Sequence, residues 1–145
     1  MGRSRGGLST KVHALTDAQG LPIKLSLTPG QTHDTHGAEM LLGDLRNGEI
    51  LLADKAYDAD WIRQHLADRG AAPNIPDRAN RKVRHCFSKT LYKERNKVER
   101  FFNRIKHFRR VATRFEKLAS NYLAMVKLAS IRIWLRVKEV SGQCQ

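Results

Sequence analysis

SKTLYKERNKVERFFNRIKHFRR, residues 88–110, is the stretch from which the rest of the chain is read. As a helix it places Tyr92, Glu99 and Lys106 at intervals of seven, nearly two turns each, with Arg95 and Asn103 in the same stripe. One face then carries a carboxylate framed by cations. Leu91, Val98, Phe101, Phe102, Ile105 and Phe108 form the other face, apolar enough to dock on a core and hold Glu99 on a rigid element. An acid so held is able to fix a metal against a phosphate. The competing reading is a solvated helix with ordinary pairing, Glu94 with Lys97 or Glu99 with Asn103.

Immediately upstream, Asp77–Lys89 (DRANRKVRHCFSK) is basic and aperiodic, a loop over the face that carries Glu99. Before it the pattern is strand, helix, strand. Ile50, Leu51, Leu52 and Ala53 form a continuous apolar run within Glu49–Asp54, which predicts a strand covered on both faces and ending at Asp54. Open α/β sheets place ligands beyond the carboxyl ends of such strands, so Asp54 is a candidate site carboxylate; as an alternative, it caps the next turn. Asp58 fits a capping role better, ahead of a helix with Trp61, Ile62, His65 and Leu66 that stops at Gly70. Ala72–Ile75 is a short strand that Pro73 and Pro76 confine to an edge or a strand end.

Nearer the start, Met1–Gly7 reads as an irregular lead-in. Leu8–Asp17 and Leu21–Leu27 read as an antiparallel hairpin around Asp17-Ala18-Gln19-Gly20, with His13 facing solvent or a phosphate. Thr28-Pro29-Gly30-Gln31 ends it, and Asp34 or Thr35 caps a helix with Ala38, Leu41, Leu42 and Leu45 on one face. Downstream of the central helix, Phe115, Leu118, Tyr122, Met125, Val126, Ala129 and Ile133 mark a long amphipathic helix to about Val137. The fold class is α/β, a single domain over residues 1–145 ending in two long helices.

At 145 residues the chain suits one core. It holds no apolar run long enough to span a bilayer and no signal-peptide pattern, so a soluble, unsecreted, cytoplasmic protein is expected, with no membrane partner. Cys86 and Cys144 indicate neither a disulfide framework nor a paired-cysteine metal site. Charge says more. The formal net charge is +13, and residues 78–114 carry 14 Lys or Arg against Glu94 and Glu99. A basic block concentrated beside the candidate helix implies a polyanion surface, with nucleic acid the natural partner.

The spacing of Tyr92, Arg95, Glu99 and Lys106 (Tyr, two residues, Arg, three, Glu, six, Lys) resembles the signature of the DDE transposases of bacterial insertion sequences, in the family numbered five and its relative numbered four. GRSRGGLSTKVHAL, TPGQTHD, LLADKAYDAD and NIPDRANRK resemble the same family, in the same order along most of the chain. The resemblance implies a ribonuclease-H-like mixed sheet with flanking helices, whose acidic triad binds two divalent cations, Mg²⁺ or Mn²⁺, and cuts and joins DNA. It implies that Asp54 is the second acid and Glu99 the third, both metal ligands. Tyr92, Arg95 and Lys106 would frame the site or touch DNA, with Arg81 and Lys82 of the NIPDRANRK segment as further DNA contacts. DNA, both element ends and target, is the implied partner, at the bacterial nucleoid, with a homo-oligomer on DNA possible.

One feature departs from the family pattern. There the first acid lies on a buried strand upstream of the segment like GRSRGG, and this chain begins at that segment. Asp17 sits at a hairpin turn, a poor substitute. The expectation is therefore a catalytic portion that lacks its first strand and first acid, inactive alone and completed by an upstream portion, for instance as a frameshift fusion. The alternative is a non-catalytic DNA-binding regulator or the remnant of a decayed element.

Overall fold

The computed structural model describes residues 2–4, 7–114 and 117–142; Phe115 and Cys144 lie outside them. The elements are β1 (Gly2–Ser4), β2 (Gly7–Thr16), β3 (Pro22–Pro29), α1 (Asp34–Leu41), β4 (Ile50–Leu52), α2 (Asp60–Asp68), β5 (Ala72–Asn74), α3 (Lys89–Tyr92), α4 (Asn96–Lys106), α5 (Arg109–Ala112) and α6 (Ala119–Gly142). Short 3₁₀ turns cover Leu42–Asp44, Lys55–Tyr57 and Lys93–Arg95. The class is mixed α/β, in two small sheets: an antiparallel β1-β2-β3 and a parallel pair β4-β5. The residues expected to form an irregular lead-in include β1, paired with residues 7–9 of β2.

The β2–β3 hairpin turns where the sequence places it. Asp17 accepts the backbone N–H groups of Gln19 and Leu21, and Gly20 takes a positive φ of 80°. A Cβ at Gly20 would lie 3.1 Å from the carbonyl oxygen of Lys97, so the tip docks closely on α4. Both faces of the hairpin are covered. Val12, Ala14, Leu25 and Leu27 pack on a core of Leu21, Phe101, Ile105, Val111, Tyr122, Val126, Ala129 and Ile133. Ser26, Thr28 and His13 on the other face are buried too, with Gly37 of α1 against the His13 ring. This corrects the expectation of a solvent-facing His13: α1 covers that face.

A second core gathers Ala38, Leu42, Leu51, Ile62, Leu66, Ala71 and Ile75 from α1 and the turn after it, β4, α2 and the two residues flanking β5. The α2 helix stops at Gly70, φ 70°, with Ala71 N–H returning to the Leu66 carbonyl. β4 is not covered on both faces as expected; Leu51 is buried, but Ile50 is 52% exposed. Its only strand neighbour among the described residues is β5.

The central helix forms, with two departures. Residues 93–95 tighten into a 3₁₀ turn, and Phe108 leaves the helical region (ψ 105°) to pack beside the first core before α5 begins. Phe101 and Ile105 anchor α4 as expected, whereas Leu91 is exposed on α3, which buries none of its residues. α6 runs on past Val137 to Gly142 and is tied in by Trp134 Nε1, which donates to the Pro22 carbonyl at 2.9 Å.

Candidate nucleic-acid and metal site

Asp54 stands two residues after β4, which ends at Leu52 rather than at Asp54 as expected, and its Oδ1 accepts the Ala56 N–H at 2.8 Å, starting the 3₁₀ turn at Lys55–Tyr57. The capping reading of Asp54 therefore holds, and one oxygen does the capping while the residue also lines an open pocket. Asp58, expected to cap α2, does not; Ala59 is the N-cap, without a side-chain bond. The turn is braced from below. Tyr57 OH lies 2.9 Å from His13 Nδ1, and Thr28 Oγ1 lies 2.7 Å from His13 Nε2. Burial pushes the His13 pKa down, helped by Lys11 and opposed by Asp34. The Tyr57 hydroxyl is pushed well above its ordinary range by burial and by the charges of Asp34 and Asp54. It is a neutral prop at any ordinary pH.

Lys11, His13, Asp34, Asp54, Tyr57 and Phe102 line a pocket of about 420 Å³. Asp34 is not a helix cap but an ion-pair partner of Lys11 at 2.9 Å. Sequence reading missed its nearness to Asp54, and the TPGQTHD turn was the only available signal.

Glu99, with half its side chain exposed, is held from the other side by α4. It pairs with Arg95, one turn earlier, rather than with Asn103. The other expected pair, Lys97 with Glu94, does form. Arg95 lies 5.3 Å over the Tyr92 ring, which itself meets Phe87 edge-on at 5.1 Å. Desolvation works against the Arg95 charge, but the Glu99 hydrogen bond and the electrostatic pull of Tyr92, Glu99 and Asp54 outweigh it, and its pKa rises. Arg95 Nε is buried with no hydrogen-bond partner. Asp54, Arg95, Glu99 and Phe102 open onto one groove of about 980 Å³.

A family model for the transposase DDE domain matches residues 2–134. The chain belongs to the DDE transposase family. Among its relatives, a protein carrying the name of a transposase for insertion sequence element IS6501, from Brucella ovis, is 40% identical over 130 residues, 89% of this chain and all of that one. One named for element IS402 of Burkholderia cepacia is 34% identical over 87% of this chain and 62% of its own length. The transposase for element IS1106 of Neisseria meningitidis serogroup B is 28% identical over 85% of this chain but only 42% of its own. No solved structure matches the chain.

The remaining candidates of this transposase domain differ in availability. Lys106 and Lys82 are exposed. Arg81 is not free: its side chain is 15% exposed and reaches Asp58 at 2.8 Å and also Asp60. Asp58 is the hub of this cluster, with its side chain 1% exposed, accepting from Arg63 Nε and Nη2 and from the Arg78 N–H. Burial works to raise its pKa, but hydrogen bonds from Arg81, Arg78 and Arg63 win and hold the carboxyl well below the usual range. Asp77 joins in, accepting from Arg63 and from the His85 N–H. Arg78 also donates to the carbonyls of Lys55 and Ala56, so the 77–88 segment is fastened beside the Asp54 turn. Among the described residues no helix is long and apolar enough to cross a membrane, and no group of three or more His, Cys, Asp or Glu is placed to hold a metal.

Proposed function

We propose that this chain is the larger part of a transposase catalytic core that cleaves and joins DNA at the ends of an insertion sequence with the help of a divalent cation. The observation that carries the proposal is the shared groove: Asp54 from just after β4 and Glu99 from α4 open onto it with Arg95, which feels the charge of both. Two sheets flanked by helices, with an acid just after a strand, are compatible with a ribonuclease-H-like arrangement.

The donor chemistry fits Mg²⁺ or Mn²⁺. Both acids offer hard oxygen donors, and Asp54 keeps Oδ2 outside its capping bond. When bound, the cations supply the positive charge that stabilises attacking and leaving oxygens in phosphoryl transfer. Asp54, propped by Tyr57 and His13, and Glu99, anchored by Phe101 and Ile105, would hold them. For Glu99 this means leaving Arg95, whose guanidinium, over the Tyr92 ring, then faces a phosphate. Lys106 and Lys82 would contact the DNA backbone, while Arg81 acts by fixing the 77–88 loop. A pair of acids falls short of a two-metal ligand set, so full activity would need an upstream portion that supplies a further acid, as a frameshift fusion or a longer chain, at the nucleoid and with oligomers on DNA.

The test is strand cleavage and transfer by purified protein with Mg²⁺ or Mn²⁺ on DNA carrying the element's ends, with and without the fused upstream region. Activity is expected only in the fusion and should vanish in Glu99→Ala. Cleavage by the 145-residue chain that Glu99→Ala abolishes would refute the claim of incompleteness, and a fusion with unchanged activity after Glu99→Ala would refute the site.

A further inference from the structure

Lys11 and His13 stand two residues apart on β2, so their side chains leave the same face of the strand, about 7 Å from one another along it. His13 spends its ring on the prop under the Asp54 turn. Lys11 instead lines the 420 Å³ pocket together with Asp34 and Asp54. That pocket adjoins the groove of Glu99 and Arg95, since Val12, His13, Asp54, Tyr57 and Phe102 line both. Among the described residues Lys11 is the only lysine or arginine that lines the pocket.

The ammonium is fixed without being used up. Its Nζ donates to the Thr32 carbonyl at 2.9 Å and to Asp34 Oδ1 at 2.9 Å, which occupies two of its three N–H groups, and the side chain stays 40% exposed. Bracing β2 against the start of α1 is the plainer role, but an ion pair so exposed adds little stability. The fold has no need of it there: Gly37 of α1 already sits against the His13 ring, and Ala38 and Leu41 are buried. Arg81 is the contrast, with a side chain 15% exposed and closed in by Asp58 and Asp60. Charge balance points the same way. A phosphate brought to this pocket meets two carboxylates, Asp34 and Asp54; a cation on Asp54 offsets one, and Lys11 offsets the other.

We propose that Lys11 is a phosphate-binding residue of the cleavage site: Thr32 and Asp34 hold its ammonium so that the third N–H meets a non-bridging oxygen of the DNA backbone drawn over Asp54. A lysine suits this task, as a compact point charge with rotatable donors. The proposal rests on the catalytic reading for the place of that phosphate in the reaction, whereas the contact itself needs neither metal nor bond breakage.

The test uses the full 145-residue chain, without metal, and a short DNA duplex. Acylation of lysine amines, read by mass spectrometry with and without the duplex, should show Lys11 shielded at least about threefold, with the shielding lost at high salt. Fluorescence anisotropy over a salt series should give Lys11→Met a slope of log K against log salt smaller by about 0.9, which is about eightfold weaker binding at about 0.1 M salt if the two proteins match near 1 M. Lys11→Arg keeps the charge and should restore the slope. Lys138→Met removes an exposed cation of α6 that lines neither the pocket nor the groove, and should leave the slope unchanged. An unshielded Lys11, an unchanged slope in Lys11→Met, or an equal loss in Lys138→Met would overturn the proposal; shielding in the wild-type chain decides it even where Lys11→Met does not fold. Shielded Lys11 beside a fusion that cleaves DNA regardless of Glu99→Ala would reject the catalytic reading alone. Unshielded Lys11 beside a fusion that Glu99→Ala inactivates would reject the lysine contact alone.

Discussion

Asp58→Ala should be among the most damaging single changes outside the apolar cores. Removing one partner from a buried ion pair costs about 3–5 kcal/mol, because the remaining charge stays buried without its counter-ion. Here the loss is partly absorbed: Arg63 keeps Asp77 and the Ile75 carbonyl, and Arg81 keeps Asp60. The Arg78 N–H and Arg63 Nε lose the acceptor they have. A cost near the low end, about 3 kcal/mol, is therefore expected. With a urea slope of about 2 kcal/mol/M, the unfolding midpoint should drop by about 1.5 M. Asp60→Ala is the control, since Asp60 binds the same Arg81 from an exposed position and should cost less than about 1 kcal/mol. The folded pKa of Asp58 is depressed, so its contribution is complete above the unfolded value of about 3.9 and is lost as pH falls through the folded one. The gap between wild type and Asp58→Ala should narrow below about pH 4. A loss under about 1 kcal/mol, or one equal to that of Asp60→Ala, would refute the view that the cluster is a buried, charge-dependent clasp.

Asp54→Asn retains an oxygen to accept the Ala56 N–H, so the fold should persist while Mn²⁺ affinity, measured by calorimetry, falls at least about tenfold; unchanged affinity would remove Asp54 from the metal site. DNA binding by the isolated chain should weaken steeply with salt, log K falling by about 0.9 per log unit of salt for each phosphate contacted. Lys106→Ala should lower that slope by about 1 with no change in thermal stability, whereas Arg81→Ala should lower stability as well; titrations at several salt concentrations and thermal melts separate the two. His13 is buried with a lowered pKa, so the unfolded chain binds the extra proton first, and stability should decline as pH drops below about 6.5. Urea midpoints across that range should be flatter for His13→Gln, and an equally steep profile would assign the decline to another group.

The local elements were legible where one periodicity dominated. Gly20 and Gly70 mark turns that the structure places there, and Ala38, Leu41 and Leu42 share the buried face of α1. Burial of polar strand residues was not legible. Ser26, Thr28 and His13 alternate with apolar neighbours as solvent-facing residues do, and only the docking of α1 through Gly37 covers them. The spacing around Glu99 identified the pairing stripe and the family, yet spacing carries no information about which cations are spent. Arg81 looked like its neighbour Lys82 in sequence, but carboxylates from α2 and the turn before it claim Arg81. Asp58 failed as the cap of α2 for the same reason: Arg63 and Arg81 claim its carboxylate, whereas Asp54 caps its own turn through the Ala56 N–H.

The division of the interior into two cores has a mechanical consequence. Asp54 is carried by the body built around Leu51, Ile62 and Leu66, and Glu99 by the body built around Phe101, Val126 and Ile133. The spacing of the carboxylates is thus not fixed inside either cluster but passes through the β2–β3 hairpin, which packs on both: Val12 and Leu27 on the first, Leu15 on the second, with its tip against α4. Because a close-packed interior transmits strain, a change in the hairpin, which carries neither acid, alters the aperture between them.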